Sequence, residues 1–511
     1  MRKLCLLPLL LCIFATVKSQ VSSNEVAPED SAFNAVYANR SIPKVTGKLL
    51  NLLPGEIKSL PIAYTLVTPF AQMQNKKTAV IQPDGSFTLE LDYALPYQQI
   101  WFGVGELFYA GLYANSDLYI ELDLQKIRVV KDGVSFNGDG VRYLGTDGPL
   151  NVYLNNYVLF KRSEQLELSD KLSRLMVSRA TPDSLLPRYK ELNDSMGKIE
   201  TQYIAANPSS YSWMLENERM SEYYGQICIR YWYKTMDGAL WQKIKQHKPF
   251  LVSNSGATFY DYLSNYIEYM PGEKGSKPSL DRTVHRLDSL FPPAKADYMK
   301  LRLNVNTDVN EQKLAWEKIT GNMKTPWCIS VENKERERTS AKLDEINQTL
   351  ARSTGGTALT NFGKPIIETA FGARLYKAES IKALDFLQKL KESFPGKAIV
   401  IDRWATWCGP CIGEMPRSKE LQESSKDLPV VFVYLCTIHG SSESVWKSKV
   451  IELKQPGVHF LIDEALDAEL SSYFSFSGYP GHAFISKAGQ YKPGATSGIQ
   501  NKDALAALIE K

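Results

Sequence analysis

The segment Trp407-Cys408-Gly409-Pro410-Cys411 constrains this chain more than any other feature. It follows the apolar run Ala398-Ile399-Val400-Ile401-Asp402-Arg403-Trp404-Ala405-Thr406, so that Cys408 stands six residues after Asp402. The run reads as a strand and the cysteines as the start of a helix, which puts two thiols at a strand-to-helix junction. A spacing of two residues lets the sulfurs close a small disulfide ring and reopen it. Helix N-terminal N–H groups would stabilise a thiolate at Cys408. C-x-x-C also binds zinc, and taken alone the motif leaves both chemistries open.

The rest of the chain narrows the choice. With 511 residues, about two to four domains are expected. Apolar content of 44% and charged content of 23% are globular values. A net charge of +4 from 60 basic and 56 acidic residues argues against a nucleic-acid partner. Arg2 and Lys3, an apolar stretch over 4–17, and Val17 and Ser19 at positions −3 and −1 predict a signal peptide over 1–19, cut before Gln20. The stretch falls short of the ~20 apolar residues a membrane span needs. The mature chain is therefore expected to be exported, in the periplasm or cell envelope. Removing Cys5 and Cys12 leaves five cysteines, too few for a disulfide scaffold. Cys436 ends the apolar run from Val430 and reads as buried and inert, and Cys228 and Cys328 can be paired or not.

Element patterns divide the chain. Residues 40–146 alternate apolar and polar positions, as at Phe87, Leu89 and Leu91 or Leu118, Ile120 and Leu122, with turns at Pro83-Asp84-Gly85-Ser86 and Asp132-Gly133. A small antiparallel β-sandwich is expected there. Over 147–350 the period changes to helical: Leu185, Tyr189, Leu192, Met196, Ile199 and Tyr203 share one face, and Asn207-Pro208 ends it. The aromatic cluster Tyr223-Tyr224 and Tyr231-Trp232-Tyr233 reads as packing within this all-α region. Ser353-Thr354-Gly355-Gly356-Thr357 reads as a linker. Beyond it, over 360–511, strands and helices alternate, which predicts an α/β sheet with helices on both faces.

In a dithiol exchanger one thiolate attacks a foreign disulfide while the second waits, shielded, to resolve the mixed disulfide. Cys408 at the helix start and Cys411 one turn in suit those parts, with Gly409-Pro410 fixing the turn between them. Asp402, desolvated at the end of a central strand, is the candidate acceptor for the resolving proton. Ser477-Gly478-Tyr479-Pro480 opens a hairpin strand with a candidate cis proline, where an incoming peptide could pair along the Tyr479 backbone.

These motifs give residues 360–511 a resemblance to the thioredoxin fold, and to its TlpA/ResA-like exported branch. The resemblance rests on Asp402, Trp404-Ala405, the Trp407–Cys411 motif, Glu414, Pro416 and Gly478-Tyr479-Pro480. It implies Cys408 as nucleophile, Cys411 as resolving thiol, Asp402 as proton-handling group, Glu414 as auxiliary and Pro480 as substrate-binding, with Trp407, Gly409, Pro410 and Tyr479 around the contact surface. It also implies disulfide-bearing exported proteins, such as apocytochrome c, as clients, a membrane electron donor of the DsbD/CcdA type, and no cofactor or metal. Arg403, where an aromatic is usual, and Gly481, where a polar residue is common, depart from the pattern. A zinc site would have to recruit Cys436, His439, His459 or His482, none in a second paired spacing. The alternative function is an envelope protein that binds a glycan or peptide through its first 350 residues, with the redox domain as an accessory.

Overall fold

The computed structural model describes residues 35–510, apart from 39, 71–74, 130–137, 177, 179, 250–251, 271–278, 304–308, 353–360, 363–364, 379–380, 477, 495, 497–498 and 500. The predicted signal peptide, the turn at 132–133, the 353–357 linker and Ser477 lie outside the described residues.

Among the described residues eight strands form the N-terminal part: β1 (Lys44–Leu50), β2 (Ile62–Leu66), β3 (Asn75–Ala79), β4 (Ser86–Leu89), β5 (Gln98–Val104), β6 (Phe108–Ala114), β7 (Asp117–Asp123) and β8 (Val141–Leu144). They make two four-stranded sheets, ordered β4-β1-β7-β8 and β3-β2-β5-β6. Period-two alternation buries one face of each: Val45, Leu118 and Ile120 meet Leu66, Ile100, Phe102 and Leu112 in a shared core. One pairing departs from the expected antiparallel arrangement, since β1 and β7 run parallel. The chain passes through the whole second sheet between these strands, and such a crossover brings β7 back in the direction of β1.

Helices occupy the middle of the chain. The one spanning Pro182–Ala206 buries Leu185, Tyr189 and Tyr203 and is C-capped at Asn207. Helices Trp213–Arg230 and Asn254–Glu268 pack on each other. Of the aromatic cluster, Tyr231 is core, whereas Trp232 and Tyr233 are exposed. The last helix, Pro326–Arg352, lies against helix Glu443–Leu453: Ile346 and Ile451 bury each other, and Glu345 meets Lys454 at 2.7 Å.

The C-terminal part is a thioredoxin-like α/β domain. Its seven strands among the described residues are β9 (Ile367–Glu368), β10 (Ala373–Ala378), β11 (Ala398–Trp404), β12 (Val430–Thr437), β13 (Gly457–Ile462), β14 (Gly481–Ile485) and β15 (Tyr491–Pro493), in the order β15-β14-β11-β12-β13-β10-β9. The central β11, β12, β13 and β10 are parallel, and β14, β15 and β9 pair antiparallel at the edges. Every residue of β11 is buried, as a parallel strand covered on both faces requires. Helices Ala383–Ser393 and Glu464–Phe474 cover one face through Phe386, Leu390, Leu466 and Leu470. Helices Gly409–Ser424, Glu443–Leu453 and Lys502–Glu510 cover the other through Met415, Trp446, Leu505 and Ile509.

Candidate active site

Strand β11 delivers the site. After Trp404 the chain turns, the Cys408 N–H donates to Ala405 O at 3.0 Å, and Cys408 becomes the N-cap of helix Gly409–Ser424. Its Sγ accepts from the Cys411 N–H at 3.2 Å. Pro410 sits in the first helical turn, where its missing donor costs no hydrogen bond. Cys408 and Cys411 are joined as a disulfide, with Cα atoms 5.3 Å apart. In this state both are buried, Cys408 at 4% and Cys411 at 1% exposure, so Cys408 is less open than its position at the helix start suggests. The Tyr479 ring packs against the apolar cluster that holds both sulfurs. Trp407 is exposed over the site, its ring 5.3 Å from that of Tyr479 and its indole N–H donating to His439 O. The Tyr479–Pro480 peptide bond is cis.

Alternation along β11 sends consecutive side chains to opposite faces. Asp402 faces the active-site helix. It is 7% exposed, and its Oδ1 has no hydrogen-bond partner among the described residues. Burial, reinforced by the Glu414 charge, pushes its carboxyl up to about 7. Asp402, Glu414, Arg417, Ser418, His482 and Thr496 line a cavity of about 170 Å³ under this face. At its mouth the Glu414 carboxylate stands 3.2 Å from His482 Nε2.

Arg403 faces the other way, where the sequence offered no account of it. Its Nε and Nη2 donate to the two Asp467 carboxylate oxygens at 2.7 and 2.8 Å. Nη1 donates to Gly478 O and Nη2 to Tyr479 Oη, and the guanidinium lies 3.8 Å from the Tyr479 ring centroid. Tyr479 completes the network by donating to Asp467 at 2.8 Å, and burial pushes its phenol up to about 12. Arg403 thus anchors the cis-proline loop from beneath. Gly481 has a packing reason: a Cβ there would lie 2.9 Å from the Phe476 ring.

The structure brings Asp402, Trp407, Cys408, Gly409, Pro410, Cys411, Glu414, Tyr479 and Pro480 onto β11, the helix after it and the loop before β14. Sequence reasoning missed Arg403–Asp467 and the place of His482. Asp467 is 64 residues from its partner, on helix Glu464–Phe474. The possible zinc ligands are dispersed: Cys436 is in the core, His459 stacks on Tyr434, His439 meets Glu464 and His482 meets Glu414. Cys228 and Cys328 are buried thiols, not bridged to each other, and burial pushes the Cys228 thiol up.

The Redoxin family model matches residues 382–492. Thioredoxin-like protein YneN of Bacillus subtilis (strain 168) is 36% identical over 67 residues, which are 13% of this chain and 39% of that relative. The chain therefore spans well under half the length of the curated relative it matches. Among solved structures, the thioredoxin domain of a thiol-disulfide oxidoreductase from Bacteroides vulgatus is 20% identical, covering 23% of this chain and 81% of that one at a TM-score of 0.20. StoA from Bacillus subtilis is 16% identical, covering 19% and 71%, at a TM-score of 0.17. The Redoxin match falls on the thioredoxin-like domain that carries the Cys408–Cys411 pair.

Proposed function

We propose that this protein reduces disulfides in exported proteins through the Cys408–Cys411 pair. Cys408 attacks the client disulfide, Cys411 resolves the mixed disulfide, and Asp402 takes the proton that Cys411 gives up. Glu414 assists Asp402. The client lies as an extended strand against Tyr479 and cis-Pro480, beside Trp407, Gly409 and Pro410. A membrane carrier of the DsbD/CcdA type re-reduces the pair, in the periplasm or cell envelope to which the predicted signal peptide directs the chain. Apocytochrome c is one client of this class. The residue boundaries 40–146, 147–350 and 360–511 are proposed as three domains.

One observation carries the reading: a redox-closed cysteine pair caps a helix on the same sheet face as a buried carboxylate raised to about 7. The reducing direction rests on the Gly-Pro spacer, shared with thioredoxin, whose potential is about −270 mV. Equilibration of the pair with glutathione tests it. A potential near thioredoxin's is expected, and one near the about −120 mV of a DsbA-type oxidant would reverse the direction.

A second reading, a glycan- or peptide-binding protein with an accessory redox domain, has its own observation. A cavity of about 480 Å³ between β5, β6 and the helices is lined by Trp101, Tyr113, Tyr157, Lys161, Glu218 and Gln226 among others. Burial raises the Glu218 carboxyl to about 7, and Gln226 Oε1 is buried without a partner among the described residues. A Cys408→Ser strain separates the readings, since a phenotype that survives the loss of reductase activity belongs to the binder.

A further inference from the structure

A buried base is useful for more than one turnover only if its proton can leave again. Asp402 is 7% exposed and opens onto a cavity that Glu414 and His482 also line, so the route out runs past those groups. His482 stands two residues after Pro480, and the antiparallel register of β14 sets it directly opposite Asp402. Its Nε2 is 3.2 Å from Glu414 Oε2. Exposure is graded outward, from Asp402 at 7% to the His482 side chain at 20% and the Glu414 side chain at 49%. All three line the cavity of about 170 Å³, which has room for ordered water beside its polar groups.

We propose that His482 is a positioning residue of the exchange reaction: it holds Glu414 at the cavity mouth and, with it, passes protons between Asp402 and solvent through cavity water. The proposal rests on the oxidoreductase reading and goes beyond it in assigning the exit path. In the resolving step the Cys411 S–H proton goes to the Asp402 carboxylate. The new Cys411–Cys408 S–S bond forms as the Cys408–client S–S bond breaks, and the client departs as a thiolate. Asp402 then returns its proton outward, by way of water, to the His482–Glu414 pair and on to solvent, which restores the carboxylate. Arg417 on the active-site helix also lines this space, and Tyr434, paired in register with Asp402 on β12, is hydrogen-bonded to Ser418 and Gln455. Burial lowers the basicity of His482, and the Glu414 carboxylate opposes that.

The test is insulin reduction at pH 6–9 by wild type, His482→Ala, Glu414→Gln and Cys408→Ser, with and without added imidazole. The His482→Ala rate is expected to fall roughly tenfold at pH 7, within the range for lost proton transfer. Added imidazole should restore much of that rate without affecting wild type, and Glu414→Gln should slow the reaction to a lesser degree. A wild-type rate and pH profile in His482→Ala would overturn the proposal, as would a loss that imidazole does not rescue while Glu414→Gln stays at wild-type rate. Should His482→Ala fail to fold, an unchanged rate and profile in Glu414→Gln would also overturn it. Cys408→Ser keeps the two failures apart, because its retaining activity would sink the oxidoreductase reading itself.

Discussion

Asp402 and Arg403 are adjacent on one strand, yet the two sides of the sheet treat their charges in opposite ways. On the Arg403 side every charge is answered: the guanidinium has a carboxylate, a carbonyl and a phenol within 3.0 Å. On the Asp402 side one carboxylate oxygen has no partner among the described residues, and the acid is held near neutrality. A buried charge with its partners fixes geometry, whereas a buried acid without them is poised to gain or lose a proton. One side therefore holds the cis-proline loop, and the other is free to do proton chemistry.

The largest effect should come from breaking the satisfied side. Arg403→Met strands Asp467 in the core and is expected to cost about 3–5 kcal/mol in urea unfolding. Replacing both partners, Arg403→Met with Asp467→Leu, should recover most of that loss. If the single variant were as stable as wild type, the two faces would not differ as described.

The unsatisfied side should respond with the opposite sign. Asp402 protonates near pH 7 in the folded protein and near its ordinary 3.8 when unfolded. Between those values the native state holds the extra proton, so stability falls as pH rises through the window and levels off above it. Asp402→Asn removes this penalty. Its advantage over wild type should be near zero below pH 4 and reach a plateau above pH 7, at most about 4 kcal/mol. Unfolding of the oxidised proteins across pH 4–8 measures it, and a pH-independent difference would contradict the assignment.

Tyr479→Phe sharpens the comparison at its smallest scale. It removes one donor to Asp467 and one acceptor from Arg403 but leaves their bidentate bridge. A loss of about 1 kcal/mol is expected, together with weaker client binding as the loop loosens. A cost equal to that of Arg403→Met would make Tyr479, not the bridge, the anchor.

Much of the redox side was legible in the sequence, because its signals are local. An apolar run, C-x-x-C, the Glu414 and Pro416 spacing and Tyr479-Pro480 each act within a few residues. Helix Glu464–Phe474 also has local signals, since Asp463 caps it and Leu466, Leu470 and Phe474 repeat every fourth residue. The hairpin β9–β10 is short, β9 having two residues and β10 six, which gives periodicity little to act on. What no local pattern carries is long-range pairing. The Arg403–Asp467 bridge, the register that sets His482 against Asp402, and the parallel alignment of β1 and β7 arise only when distant segments pack.

The central claim is that Cys408 and Cys411 form a working redox pair, and insulin reduction in the presence of dithiothreitol tests it most directly. Wild type should precipitate the insulin B chain well ahead of dithiothreitol alone, and Cys408→Ser should add nothing to the uncatalysed rate. A wild-type curve that overlays dithiothreitol alone would contradict the account.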